Sequence, residues 1–124
     1  MTREPRDLAL ERLYQAEMLG SAPDVSDLPP KAARLVAGVH EHQPALDQAL
    51  GEVSAVWPVH RMPAVDRCIL RMSLHELRSD PGLPVAVIVS EAVRLAKAYS
   101  TEKSGAFVNG VLAELARRER RTEA

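Results

Sequence analysis

The stretch PAVDRCILRMSLHELR, residues 63–78, decides the fold. At the roughly 100° per residue of an α-helix, its apolar side chains form two stripes on nearly opposite sides. One stripe consists of Val65, Cys68, Ile69 and Met72, and the other of Leu70, Leu74 and Leu77. The narrow polar strip between them is occupied by Arg67, Arg71, His75 and Arg78. Because a helix that is apolar on two sides packs against neighbours on both, we predict that this segment is the central helix.

Further segments with helical spacing of apolar residues lie on both sides of it. Prolines stand at the beginnings of these segments or in the gaps between them, where a missing N–H costs little. The predicted helices cover residues 5–19, 31–41, 44–57, 63–78, 85–100 and about 104 onward. Residues 85–89 are rich enough in β-branched side chains for a strand, but their apolar spacing continues helically to Ser100. We therefore predict an all-α protein of six to seven helices.

Length and composition limit the class of protein. The 124 residues suit a single domain, which we expect to span residues 1–124. A net charge of -1 excludes a simple polycation that coats nucleic acid, although a local basic patch remains compatible with it. The single cysteine excludes an intrachain disulfide. No apolar run approaches the roughly 20 residues that span a bilayer, so we expect a cytoplasmic protein without membrane association.

Catalytic and metal-binding patterns are absent from the sequence. His40 and His42 are two positions apart, which places them on different faces of a helix. Cys68 lies on an apolar stripe, where a buried and inert thiol is expected. We therefore expect no enzymatic activity, no cofactor and no metal ion.

Two residues of the helices are unusual for their positions. Glu76 lies on the same apolar stripe of the central helix as Val65, Ile69 and Met72. A carboxylate in such a position needs a partner. We favour a structural ion pair or a helix cap for it over a ligand-binding role. Gly110 falls inside the last predicted helix, where glycine costs about 1 kcal/mol relative to alanine, and we expect it to permit close approach of another helix.

Basic residues concentrate at the two ends of the chain. Arg3, Arg6 and Arg12 alternate with acidic residues near the first helix, and Arg117, Arg118, Arg120 and Arg121 crowd the end of the last. The second cluster suits either the negative end of the helix dipole or contact with phosphate. Aromatic residues make up 3% of the chain, too few for a stacking sheet. RNA binding would thus depend on charge, shape and one ring, of which Trp57 is the best candidate.

Several stretches of this sequence resemble the NusB family. They are VDRCILR at residues 65–71 followed by HEL at 75–77, SEAVRLAK at 90–97, and KSGAFVNGVL at 103–112. The last is the most specific, because it follows EAVRLAK at the family's distance. The resemblance extends over nearly the whole chain.

The resemblance implies an all-helical fold of two small helical bundles and a bacterial transcription antitermination factor without enzymatic activity. Such proteins pair with NusE, a small-subunit ribosomal protein, and together hold the boxA segment of nascent RNA. They help join it to elongating RNA polymerase with other Nus factors, chiefly in ribosomal RNA operons. Some members dimerise, and the sequence leaves open whether this chain forms a homodimer.

The resemblance also suggests which residues form the interfaces. The expected RNA contacts are Arg3, Arg6, Trp57, Arg61, Arg71 and Ser104. The expected partner contacts are Tyr14, Asp66, Lys103 and Phe107. The position of Lys103 is often acidic in the family. We expect moderate RNA binding by the chain alone and stronger binding with NusE.

Two other functions are compatible with the sequence. The same helical module occurs as an RNA-binding part of certain rRNA methyltransferases, and a helical protein–protein adaptor without RNA is a further alternative. A helix-turn-helix DNA-binding protein is disfavoured, because no helix presents a basic reading face after a tight turn.

Overall fold

The computed structural model describes residues 4–55 and 57–120. Within them the chain forms five α-helices: α1 (Pro5–Leu19), α2 (Pro30–Val53), α3 (Ala64–Ser79), α4 (Val85–Tyr99) and α5 (Glu102–Glu119). A short 3-10 turn, Val59–Arg61, lies between α2 and α3. The described residues contain no β-strand, so the all-α prediction is confirmed, including the helical assignment of residues 85–89.

The central position predicted for the residue 63–78 helix is confirmed by its contacts. Helix α3 touches each of the other four described helices. Helices α1 and α2 pack on each other and on α3, and so do α4 and α5. Both apolar stripes of α3 contribute to one core that runs through all five helices. Helix α3 is therefore held on both of its apolar sides by a single packed interior.

The predicted count of six to seven helices is wrong, because Pro44 does not separate two helices. It lies inside the continuous helix α2. Proline in a helix interior removes one hydrogen bond and costs about 3 kcal/mol. The buried side chains of Val36, Val39, Leu46 and Leu50 follow one stripe through this position, and their packing outweighs that cost. Helix α2 then ends at Val53, so Trp57 does not end a helix as predicted but lies in the following connection.

Helix ends follow local chemistry. Gly20 ends α1 in the left-handed conformation with φ 65°, as glycine does without strain. Helix α5 begins at Glu102 rather than near residue 104, because Thr101 caps it and accepts a hydrogen bond from the Ser104 N–H at 3.2 Å.

The predicted packing role of Gly110 is wrong. A Cβ added there would meet no atom within 4 Å, so the glycine faces open space. Close approach of helices occurs instead at Gly38 on α2, where an added Cβ would lie 2.2 Å from His75 Nε2 of α3.

The ion pair predicted for Glu76 is confirmed. The Arg6 guanidinium donates to both carboxylate oxygens, at 3.0 and 2.8 Å, and thereby links α1 to α3. Cys68 is buried as predicted, and burial raises the pKa of its thiol to about 11. Such a thiol stays protonated and unreactive near neutral pH.

The described residues hold no group of three or more His, Cys, Asp or Glu side chains placed to bind a metal ion. In the same part of the chain, no helix has both the length and the apolar character needed to cross a membrane.

Candidate nucleic-acid interface

The polar strip of α3 is buried at Arg67 and Arg71, half-buried at His75 and exposed at Arg78. The Arg71 guanidinium donates to both oxygens of Asp47, at 2.7 and 2.9 Å, and to Glu17 at 3.1 Å. Arg67 donates twice to the other oxygen of Glu17, at 3.0 and 2.7 Å. We call these four residues the Glu17 ion-pair cluster.

The exposure expected for Arg71 is therefore corrected. Its side chain is only 7% exposed, and its charge is already neutralised by two carboxylates. Burial alone would raise the pKa of Glu17, but the charges and hydrogen bonds of Arg71 and Arg67 hold it below its ordinary value. A direct phosphate contact by Arg71 would require these ion pairs to break.

The basic cluster near the first helix is also neutralised. Arg6 pairs with Glu76 and lies 3.6 Å from Glu91, and Arg12 pairs with Asp27 at 2.7 Å. Arg3 lies outside the described residues. The described arginines of this cluster thus connect secondary-structure elements instead of presenting free charge.

The C-terminal arginines are engaged in different ways. Arg117 pairs with Glu114 on the same helix. The Arg120 guanidinium donates to the carbonyl oxygens of Leu77, Asp80 and Leu83, at 2.9, 2.8 and 2.8 Å. Arg120 thereby caps the carboxyl end of α3, where carbonyl groups lack helical partners. Arg121 lies outside the described residues.

Five of the described cations have no described carboxylate within 4.0 Å. They are Lys31, Arg34, Arg61, Lys97 and Lys103, and all five are exposed. Of these, sequence reasoning identified Arg61 and Lys103 and missed the other three. Sequence spacing gives no usable signal for them, because Arg67 and Arg71 also lack an acidic residue three or four positions away and are nevertheless paired.

Two aromatic side chains meet, and each has one of these free cations four residues away in the sequence. The ring centroids of Trp57 and Phe107 lie 5.4 Å apart at 62°, an edge-to-face pair. Lys103 lies one helical turn before Phe107 on α5, and Arg61 closes the 3-10 turn that follows Trp57. We call these four residues the Trp57 platform. It joins two expected RNA contacts to two expected partner contacts.

Ser104 is the expected RNA contact that the structure places least favourably. It is buried, and its hydroxyl lies 2.9 Å from that of Ser100 and 3.0 Å from that of Thr101. The prediction of an accessible Ser104 is therefore corrected: its hydrogen bonds stabilise the first turn of α5.

The remaining expected partner contacts lie around the first turn of α3. Tyr14 is 38% exposed and lines a cavity of about 260 Å³ with Leu10, Val65 and Tyr99. Asp66, next to Val65, is 1% exposed, and its buried Oδ1 has no hydrogen-bond partner among the described residues. Asp66 is thus not the surface residue that was expected, because α3 places it inside the packed helices. Burial of this kind cannot be read from the acidic residue type.

Comparison with known proteins agrees with this architecture. The model of the NusB family matches residues 3–117. The transcription antitermination protein NusB of Kineococcus radiotolerans is 44% identical, over 92% of this chain and 91% of that protein. The NusB of Geobacillus kaustophilus is 39% identical, over 90% of this chain and 92% of that protein.

Solved structures show the same fold. T. maritima NusB superposes with a TM-score of 0.80 at 31% identity, covering 94% of this chain and 93% of that one. A chain from a crystal structure described as a plectonemic RNA supercoil gives a TM-score of 0.78 at 27% identity, with 92% of each chain covered.

The fold and the relatives define a helical, non-catalytic transcription antitermination factor. The chain belongs to the NusB family. This confirms the family resemblance, the antitermination function and the absence of enzymatic activity predicted from the sequence.

Proposed function

We propose that the chain binds boxA RNA jointly with NusE and helps join this RNA to elongating RNA polymerase and other Nus factors, chiefly in rRNA operons. In this proposal residues 1–124 act as one NusB-like domain in the bacterial cytoplasm. The named relatives are antitermination proteins, which favours this function over an RNA-binding module of an rRNA methyltransferase.

The observation that carries the proposal is the contact between Trp57 and Phe107. Trp57 is an expected RNA contact and Phe107 an expected partner contact, and their rings lie 5.4 Å apart. Two interfaces that share an edge allow each bound partner to complete the surface offered to the other. This arrangement supports joint binding of RNA and NusE.

The distribution of charge explains why a partner is needed. Each released counterion at a phosphate contact contributes to RNA affinity, but most described cations are neutralised by carboxylates. The five free cations are spread over four elements of the fold. The chain alone therefore offers few adjacent phosphate contacts, and NusE supplies the rest.

We assign the NusE contact to Tyr14 and its cavity together with Phe107, and place Lys103 on the edge that the NusE and RNA interfaces share. An exposed aromatic ring is a favourable anchor for a protein partner, and Tyr14 is such a ring, at a cavity lined by Leu10, Val65 and Tyr99 together with the acidic Asp7 and Glu11. Asp66 supports this surface from inside, because a carboxylate in the first turn of α3 interacts favourably with the helix dipole. Arg71 is likewise a positioning residue, which holds α3 against α1 and α2.

A protein–protein adaptor without RNA binding is the second candidate. The neutralisation of Arg6 and Arg71 by carboxylates favours it. The two functions differ in whether RNA binds at all, so one titration separates them.

The test is a fluorescence anisotropy titration of labelled boxA RNA with the chain, with NusE, and with an equimolar mixture. We expect the mixture to bind about tenfold more tightly than the chain alone, an ordinary coupling between two sites. Size-exclusion chromatography of the chain shows whether a homodimer competes with NusE.

The matched variants are Tyr14→Ala, which removes an exposed ring, and Asp66→Asn, which preserves shape while removing a buried charge. Tyr14→Ala should weaken NusE binding without altering helicity in circular dichroism. RNA affinity that is the same with and without NusE would contradict the proposal, and absence of RNA binding in the mixture would favour the adaptor.

A further inference from the structure

Trp57 is the one tryptophan of the sequence, and its side chain is 40% exposed. Its N–H donates to Ser54 Oγ at 3.3 Å, and the same hydroxyl donates to the Trp57 carbonyl at 2.6 Å. Pro58 follows and restricts the backbone of Trp57 to extended conformations. Because the backbone is already fixed, a ligand that binds the ring pays little ordering entropy.

The contact with Phe107 leaves the indole available. In an edge-to-face pair, at most one face of either ring is covered by the other. At 5.4 Å and 62°, Trp57 therefore keeps at least one face free of Phe107, in agreement with its 40% exposure. Phe107 is half-buried on α5 and supports the indole from the protein side.

Two free cations lie within four residues of the two rings in the sequence. Arg61 lies three residues beyond Pro58, at the end of the 3-10 turn, and Lys103 lies one turn before Phe107. Both are exposed and neither has a described carboxylate within 4.0 Å. An aromatic face beside cations that follow a phosphate backbone is the common arrangement for binding single-stranded nucleic acid.

We propose that the free face of Trp57 stacks on one unpaired base of the bound RNA, while Arg61 and Lys103 contact the adjoining phosphates. This inference rests on the proposed RNA-binding function and specifies the chemistry of its site. RNA is favoured over a protein segment as the occupant, because Arg61 and Lys103 are exposed, have no described carboxylate within 4.0 Å and therefore complement phosphate.

The single indole provides a direct measurement. The full chain is titrated with boxA RNA, alone and with NusE, while indole emission and the anisotropy of a label on the RNA are recorded together. The Trp57→Phe variant gives the blank for emission from NusE. Stacking predicts a saturable fall in indole emission with the same midpoint as the anisotropy change. Among RNAs with one abasic nucleotide at successive positions, one should bind about tenfold more weakly and, at saturation, without the fall in emission.

Substitutions of the ring test its contribution to affinity. Stacking on one base corresponds to about tenfold or more in affinity. We expect Trp57→Leu to lose about that factor and Trp57→Phe to lose less, because phenylalanine retains a stacking face. Met18→Leu on α1, also an exposed apolar residue, is the matched control and should bind RNA normally. If Trp57→Leu does not fold, as judged by circular dichroism, the emission titration of the unmodified chain decides.

The failures of this inference and of the proposed function are distinguishable. RNA binding detected by anisotropy with unchanged indole emission would overturn stacking and leave joint RNA binding intact. A fall in emission caused by NusE without RNA, with no further change on adding RNA, would show that the protein partner covers the ring. If no RNA binds with or without NusE, the proposed function and the stacking site both fail.

Discussion

The Glu17 ion-pair cluster and the Trp57 platform each contain two cations, yet their surroundings give these cations opposite uses. In the cluster, Arg67 and Arg71 are buried and share the carboxylates of Glu17 and Asp47. In the platform, Arg61 and Lys103 are exposed and have no described carboxylate within 4.0 Å. Residue type alone marks both sets as cationic. The neighbouring side chains decide which of them can bind phosphate.

The largest expected effect is on stability, from Glu17→Gln. The variant leaves Arg67 without a carboxylate, while Arg71 keeps Asp47, and because Glu17 is partly exposed the free energy of unfolding should fall by about 2 kcal/mol. Urea denaturation followed by circular dichroism measures it. The control is Glu114→Gln, whose partner Arg117 is 65% exposed and whose loss should leave the free energy of unfolding nearly unchanged. An equal loss in the free energy of unfolding for the two variants would show that the cluster stabilises the fold no more than an exposed ion pair does.

The second effect is on binding of RNA and NusE, from a substitution in the Trp57 platform. Phe107→Leu removes the ring that supports Trp57 while keeping an apolar side chain on α5. RNA affinity and NusE affinity should both fall, each by about tenfold, a change worth about 1.4 kcal/mol. Anisotropy titrations measure both, with Ala98→Ser, an exposed site on α4, as control. If only one of the two affinities changes, the interfaces do not share Phe107.

The sequence predicted most of the helices but only part of the candidate site. Apolar spacing predicts α1, α3 and α4 closely, because burial of a helix face is a periodic property of the chain. It misplaces the break at Pro44, since the loss of one hydrogen bond is local while the packing that compensates for it comes from α3. It also fails for Arg71, Asp66 and Ser104, whose exposure depends on residues distant in the sequence. The ion pair of Glu76 was predictable, because a carboxylate on an apolar stripe requires a partner.

A third effect is the response of the cluster to acid. Because its arginine partners hold the pKa of Glu17 below the ordinary value of 4.5, the carboxylate stabilises the fold above that pH. The stabilisation is lost as pH falls from 4.5 through the lower folded-state pKa. The urea midpoint of the unmodified chain should therefore fall more steeply in this range than that of Glu17→Gln. Parallel curves for the two proteins would contradict this role of Glu17.

The smallest effect sharpens the comparison on the platform's own helix. Gly110 faces open space on α5, so Gly110→Ala should raise the free energy of unfolding by about 0.5–1 kcal/mol. RNA affinity should not change, because the residue contributes no charge or ring to the platform. A weakened RNA complex with unchanged helicity would place Gly110 in the interface.

The central claim is that free cations beside Trp57, and not the paired arginines of α3, neutralise RNA phosphates. The most direct test is the salt dependence of boxA affinity, measured with NusE present for the unmodified chain, Arg61→Gln and Arg71→Gln under conditions where all three are folded. One lost phosphate contact on a single strand reduces the slope of log affinity against log salt by about 0.7. We predict this reduction for Arg61→Gln and an unchanged slope for Arg71→Gln. The reverse result would contradict the account.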